Sequence, residues 1–388
     1  MYSARLDWKI PPNRFSLIIE CKRRAGRHLI DLSESNPTRV GIENPGILTA
    51  LLDPASLLYE PHPRGLLKAR ESIAGYYADR GEIVDPERIW ITSSTSEAYS
   101  LLIKLLADPG CELLVPRPSY PLLDFLAALD GVQVVSYPLI VNAAGWHIDI
   151  SALRANITDR TRAVVIVSPN NPTGSYLRRK DRDAVIEICC RHDLAIIVDE
   201  VFFDYVLDLS DGDAGSLLAA NDALCFVVSG ISKVLALPQM KLGWIAANVP
   251  RHRWTEFGNS LDLVADTYLS ASAPVQHATP VWMNSRREIQ EGIRERLLRN
   301  LSELKAMERR APWKMLPIEG GWYAVLEFNP VRESEEETIL ALAEQDEVIV
   351  HPGFFFDFPH VGFLVVSLLP DPGEFVEGMN RIGRRLAG

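Results

Sequence analysis

Four stretches of the chain set polar residues at the ends of apolar runs, where burial without a partner is costly, and each suits a particular chemistry. Lys233 stands in Ser229-Gly230-Ile231-Ser232-Lys233-Val234-Leu235, after the apolar run ALCFVV and before an apolar turn. An amine flanked in this way is partly desolvated, which lowers its pKa and makes it a nucleophile. Asp199-Glu200 closes the run Leu194-Ala195-Ile196-Ile197-Val198. A carboxylate there needs a cationic partner, which a protonated pyridine nitrogen, an arginine or a helix N-terminus could each supply. In Ile91-Thr92-Ser93-Ser94-Thr95-Ser96-Glu97-Ala98, Ser94 and Glu97 have capping-box spacing. Thr95 and Ser96 then fall on a first helical turn, whose free N–H groups favour an anion, although an ordinary cap explains the same residues. Ser168-Pro169-Asn170-Asn171-Pro172-Thr173-Gly174 follows the run AVVIV. Asn171 offers an amide donor at a strand end, or else belongs to a plain Asn-Pro turn.

The elements that must position these residues alternate. Between about residues 65 and 250, short apolar runs alternate with segments of helical period, which predicts a mostly parallel sheet with helices on both faces. Ligands then belong at the carboxyl ends of the strands. Residues 274–310 read as one long amphipathic helix, followed by a short α+β unit to which the first forty residues return. The expected division is an N-terminal arm with part of a small domain over 1–44, a large domain over 45–275, and the helix with the small domain over 276–388.

Composition narrows the function classes. A net charge of −11 repels nucleic-acid backbones and anionic membrane surfaces. No run approaches the ~20 apolar residues of a membrane helix, and the first residues lack the apolar core of a signal peptide, so a cytoplasmic protein is expected. Five cysteines, an odd number without metal-type spacing, argue against a disulfide framework and against a zinc site. The acidic turn over 208–216 lacks the full calcium register and reads as a solvated loop.

Taken together and in this order, the four strings resemble the aminotransferase class I and II family of pyridoxal-phosphate enzymes, and the similarity runs over nearly the whole sequence. Tyr59-Glu60-Pro61 with Gly65, and Ser119-Tyr120-Pro121, resemble two further segments of that family. The resemblance implies an α/β fold of type I, with a large domain built on a mostly parallel, seven-stranded-type sheet between helices and a smaller α+β domain. It implies pyridoxal 5'-phosphate as cofactor, held as a Schiff base by Lys233, which would also shuttle the substrate proton. Asp199 would hold the ring nitrogen protonated, Asn171 the phenolate oxygen, and Tyr120 would stack on the ring. Ser94, Thr95, Ser96 and Lys241 would bind the phosphate. Tyr59 would reach the phosphate of a neighbouring subunit, which implies a homodimer with shared active sites.

Departures from the family pattern fall around the same centre. Lys241 stands where an arginine is usual, Gly230 where a phosphate-binding serine is common, and Phe202 where a tyrosine usually assists the phenolate oxygen. In Phe363-Leu364-Val365-Val366-Ser367, Val365 takes the place of the arginine that grips a substrate α-carboxylate. Arg39, in Ser35-Asn36-Pro37-Thr38-Arg39, is the first candidate for that task, with Asn36 beside it and His351 as a further possibility. Amino-group transfer between an amino acid and a keto acid is therefore expected. The alternative is a β-lyase, decarboxylase or cyclising enzyme acting on a substrate without a conventionally bound α-carboxylate. A ligand-sensing module of a transcriptional regulator fits less well, because the chain is acidic and no helix-turn-helix segment precedes the fold.

Overall fold

Runs rich in valine and isoleucine become strands that are buried on both faces, as a sheet covered by helices requires. The computed structural model describes residues 2–8, 13–42, 46–142, 145–208, 216–219, 223–330 and 334–388, so residues 209–215 of the acidic turn lie outside the described residues. In chain order the strands are β1 (Ile30–Asp31), β2 (Ile89–Thr92), β3 (Glu112–Arg117), β4 (Gln133–Asn142), β5 (Gly145–Ile148), β6 (Thr161–Val167), β7 (Ala195–Asp199), β8 (Cys225–Gly230), β9 (Gly243–Asn248), β10 (Trp313–Met315), β11 (Tyr323–Phe328), β12 (Val348–Ile349), β13 (His351–Pro352) and β14 (Phe363–Ser367).

Eight of these form one sheet in the order β2-β9-β8-β7-β6-β3-β4-β5. The strands from β8 to β4 run parallel, while β9 is antiparallel to both its neighbours and β5 folds back on β4. The strand beyond the expected seven is β5, whose four residues Gly-Trp-His-Ile are too few to show a period. Side chains alternate between two cores. Val115, Val165, Ile197 and Phe226 pack under the helices Thr95–Leu106 and Trp254–Asp266. Leu114, Val164, Ile196 and Val227 face the helix Arg179–His192 instead. Each such side chain contributes about 1.5–3 kcal/mol by leaving water.

The second unit is an antiparallel sheet in the order β10-β11-β14-β13, and β1 pairs in parallel with β12, so the N-terminal segment does return to it. The long helix expected over 274–310 is two helices, Ala273–Asn284 and Arg286–Glu308. They part at Asn284-Ser285, whose short polar side chains favour helix ends, and the Ser285 N–H closes a tight turn on the Trp282 carbonyl at 3.0 Å. Inside the second helix, the buried Asn300 amide donates to the carbonyls of Leu368 and Pro370 at 2.8 and 2.9 Å, which ties that helix to the small sheet. No helix among the described residues is long and apolar enough to cross a membrane.

Directly behind the end of β7, Glu200 is 1% exposed and accepts from Arg80 Nη2 at 2.7 Å. The same guanidinium donates to the Tyr76 hydroxyl at 2.8 Å and lies 3.7 Å over the Phe203 ring. Removing Arg80 strands a buried carboxylate, an effect on the order of 3–5 kcal/mol. Arg80→Met is therefore expected to lower the urea midpoint markedly with little change in m, and Arg80→Met with Glu200→Gln to recover part of that loss. An Arg80→Met midpoint equal to that of the unsubstituted protein would remove the pair from the stability of the fold.

Candidate active site

The parallel strands β6, β7 and β8 end side by side, with Val167 in register with Asp199 and Asp199 with Val228. The loops that leave these three strands therefore meet at one edge of the sheet.

Asp199 closes β7 and keeps part of its surface open, whereas its neighbour Glu200 is sealed against Arg80. The two acids of Asp199-Glu200 thus divide the possibilities left open by the sequence. Glu200 takes the arginine. Asp199 Oδ1 accepts from the Val201 N–H at 3.0 Å, and Oδ2 accepts from the Tyr99 hydroxyl at 3.0 Å. Burial pushes the Asp199 carboxyl up to about 6, against the pull of these two hydrogen bonds and of the Lys233 charge.

Lys233 lies in the short helix Ile231–Val234 directly after β8, and its carbonyl accepts from the Tyr205 hydroxyl at 2.5 Å. Its Nζ sits 4.6 Å from the Trp322 ring centre and 5.3 Å from that of Phe202, two aromatic walls set at 62° to each other. Burial pushes the amine down to about 8, opposed by the charges of Asp199 and Glu34. About a tenth of such an amine is neutral at pH 7, against about one part in several thousand for an ordinary lysine. Phe202, where a phenol was expected, serves here as one wall of this cup.

After β6, Asn170 Oδ1 accepts from the Thr173 hydroxyl at 3.1 Å, while Asn170 Nδ2, Asn171 Oδ1 and Ser229 Oγ are buried without a partner among the described residues. Unpaired buried groups gathered at strand ends are what a polar ligand would satisfy. Tyr120, half exposed, lies with its ring 6.5 Å from that of Phe356, and the preceding Ser119 N–H bonds the Phe356 carbonyl at 3.0 Å.

Ser94 caps the helix Thr95–Leu106, its hydroxyl accepting from the Glu97 N–H at 3.2 Å. Glu97 reaches back to the Ser93 N–H at 2.6 Å, one residue earlier than the capping box predicts, and also accepts from the Ser270 hydroxyl at 2.5 Å. Two glycines allow backbone to close on this corner. A Cβ on Gly243 would lie 2.7 Å from the Ser94 carbonyl carbon and 2.9 Å from the Thr95 nitrogen, and one on Gly230 would lie 2.9 Å from the Leu242 carbonyl oxygen. The missing serine at Gly230 thus has a local cause, the close approach of the strand that starts at Gly243. Lys241, exposed and in the left-handed region at φ 54°, lies in the same connection between β8 and β9. Tyr59 is 77% exposed and lines a cavity of about 260 Å³ together with His62, Tyr268, Ser270 and Gln276. Ser270 joins that cavity to the helix cap through Glu97.

On the other side of Lys233 runs the segment 33–39. Glu34 accepts from the Asn36 N–H at 2.8 Å and pairs with Arg39 at 3.5 Å, leaving the Arg39 side chain 68% exposed. Asn36 spends its amide oxygen on the N–H and hydroxyl of Thr38. Val365 is fully buried between Val325 and His351. Burial pushes the His351 imidazole below its usual range, against the pull of the Asp31 charge and a hydrogen bond to the Ser33 backbone, and so disfavours its charged form. Sequence reasoning missed Tyr99, Glu34 and Trp322. Tyr99 sits one turn along the helix already singled out at Ser94, but only the packing of that helix shows that it reaches Asp199.

Residues 33–374 match the family described as aminotransferase class I and II. The alanine aminotransferase of Mycobacterium tuberculosis is 27% identical over 93% of this chain and 86% of its own length. The glutamate-pyruvate aminotransferase AlaA of Haemophilus influenzae is 28% identical over 98% and 95%. Among solved structures, an aminotransferase from Escherichia coli superposes with a TM-score of 0.88 at 25% identity, covering 100% of this chain and 98% of its own. An alanine aminotransferase from Pyrococcus furiosus gives 0.89 at 24% over the whole of both chains.

The depressed Lys233 amine has a consequence for stability. Between about 8 and its unfolded value of 10.5, the unfolded chain binds the proton that the folded chain has lost. The cost of burying Lys233 is therefore full below about pH 8 and fades as the pH rises toward 10.5. In the apoprotein, Lys233→Met is expected to raise stability at pH 7 by about 1–3 kcal/mol and to lose most of that gain by pH 10. Urea midpoints at the two pH values measure this, and a gain that does not shrink with pH contradicts the assignment.

Proposed function

The chain belongs to the aminotransferase class I and II family, and from that premise we propose how its own residues divide the work of a pyridoxal-phosphate-dependent transfer of an amino group between an amino acid and a keto acid. The observation that carries the proposal is the Lys233 amine, held down to about 8 in an aromatic cup beside a carboxylate, Asp199, that no arginine among the described residues occupies. When bound, pyridoxal 5'-phosphate supplies an electron-withdrawing ring that carries the amino group between substrates.

The donor set fits that group. Lys233 Nζ would hold the group covalently and, once displaced from it by the substrate's amine, would take up and return the proton of the substrate carbon that bears that amine. Asp199 would answer the ring nitrogen, which needs an anion, and the Asn171 amide N–H, a donor, would answer the ring oxygen. Tyr120 offers a flat face. Ser94, Thr95 and Ser96 offer hydroxyls and the first-turn N–H groups to the phosphate, with Lys241 as a point charge beside them.

An amino acid and a keto acid both bring a carboxylate, and with Val365 and a His351 whose charged form burial disfavours on one wall, Arg39 is the guanidinium we assign to it. Glu34 holds Arg39 near the site, and Asn36 shapes the turn that carries it. We take residues 45–275 as the cofactor-binding domain, with 1–44 and 276–388 forming the smaller unit. The exposed run Leu57-Leu58-Tyr59 supports a homodimer in which Tyr59 serves the partner subunit's phosphate site. Val365 also favours a second reading, a lyase, decarboxylase or cyclising enzyme on the same fold.

Titrating the holoprotein with amino acids separates these readings. Transamination bleaches the visible cofactor band and a keto acid restores it, whereas the second reading releases products without such exchange. Lys233→Ala is expected to abolish the wild-type band and to cut turnover by at least about a thousandfold. Arg39→Ala is expected to raise KM for both substrates about 10–100-fold with a smaller change in kcat, and unchanged KM values would exclude Arg39 as the carboxylate site.

A further inference from the structure

Helix Thr95–Leu106 touches the proposed cofactor site twice. Its first turn carries Thr95 and Ser96, against the glycines Gly230 and Gly243 at the phosphate corner. One turn later comes Tyr99, 2% exposed, whose hydroxyl stands 3.0 Å from Asp199 Oδ2. With Val201 on Oδ1, both oxygens of Asp199 are held by donors from the protein while the residue keeps an open face. We propose that Tyr99 is a positioning residue, whose hydroxyl fixes the plane of the Asp199 carboxylate and keeps it ionised for the ring nitrogen. The inference rests on the reading of Asp199 given above.

The chemistry favours this use of a phenol. A hydroxyl that donates to a carboxylate stabilises the anion more than the acid, and it offsets the burial that drives Asp199 toward the neutral form. Tyr99 keeps its proton, and with it the ability to donate, at working pH, since burial and the Asp199 charge push its own ionisation well above the ordinary tyrosine range. The groups that face Asp199 from every side are Tyr99 and the Val201 N–H as donors, Lys233 as a cation and Glu200 as a like charge. Glu200 is held by Arg80 and Lys233 is committed to the cofactor, so Tyr99 is the side chain left to hold Asp199 in place. Another buried phenol, Tyr137, donates to the Val165 carbonyl at 2.7 Å and is spoken for. Because the phosphate corner and Tyr99 share one helix, the distance between the two ends of the ring's seat is set by that helix.

Tyr99→Phe tests the inference, because it keeps the ring and its packing and removes only the hydroxyl. Three readouts are taken: urea midpoint of the apoprotein, dissociation constant for pyridoxal 5'-phosphate by fluorescence titration, and the pH titration of the visible band. The expected result is a modestly lowered midpoint, cofactor binding weaker by about 5–30-fold, and an acid limb moved upward by roughly half to one pH unit. In an Asp199→Ala background the same substitution is expected to change cofactor binding less than about twofold. Cofactor binding and an acid limb equal to wild type would overturn the inference. So would an equal loss in the Asp199→Ala background, which would assign the effect to packing. If the wild-type protein itself forms no visible band with the cofactor, it is the reading of Asp199 and Lys233 that fails, a result separable from either of these.

Discussion

A buried amine and a buried carboxylate at the end of an apolar sheet are both expensive, and the structure is arranged around keeping the two usable. Burial makes the Lys233 amine easier to deprotonate between the walls of Phe202 and Trp322, while Asp199 keeps part of its surface open beside a Glu200 that is paired with Arg80. Two adjacent acids with different partners are thus a division of labour: the inner one anchors the fold and the outer one faces the cleft. Had Arg80 paired with Asp199, the site would hold an internal ion pair and no partner for a cationic ring nitrogen.

The phosphate corner is a product of backbone packing. The start of β9 runs so close to the helix cap at Ser94 that neither Gly243 nor Gly230 has room for a side chain unless the neighbouring backbone moves. On the proposed reading, N–H groups of the first turn would stand in for the serine hydroxyl that Gly230 lacks. A helix terminus holds an anion through oriented dipoles that need no reorganisation, so this corner depends little on any single side chain.

The substrate side is built differently. Val365 belongs to the apolar core of the small sheet, burial disfavours a charged His351 beside it, and the segment 33–39 carries the ion pair of Glu34 and Arg39. On the proposed reading, a carboxylate held by Arg39 would be gripped by an exposed, loosely paired arginine, and substrate binding would depend on the position of the N-terminal segment, which is tied to the small unit through β1 and β12.

Much of the site was legible in the chain because the chemistry sits at strand ends, and strand ends are written locally. An apolar run followed by Asp199, by Asn170-Asn171 or by Ser232-Lys233 marks both the element and the place where a ligand must go. The alternation of runs and helical periods likewise carries the parallel sheet. Local signals say nothing about which of two neighbouring acids an arginine from residue 80 will choose, or that Tyr99 on one helix will reach Asp199 on another strand. Nor do they show that Gly230 is glycine because another strand leans on it, or that the long helix breaks at Ser285. Those outcomes depend on contacts between residues far apart in sequence, whose energies exist only once the chain has closed. Composition, period and strand-end polarity determined the architecture and singled out the candidate amine, and the tertiary structure decided how charge is distributed around that amine.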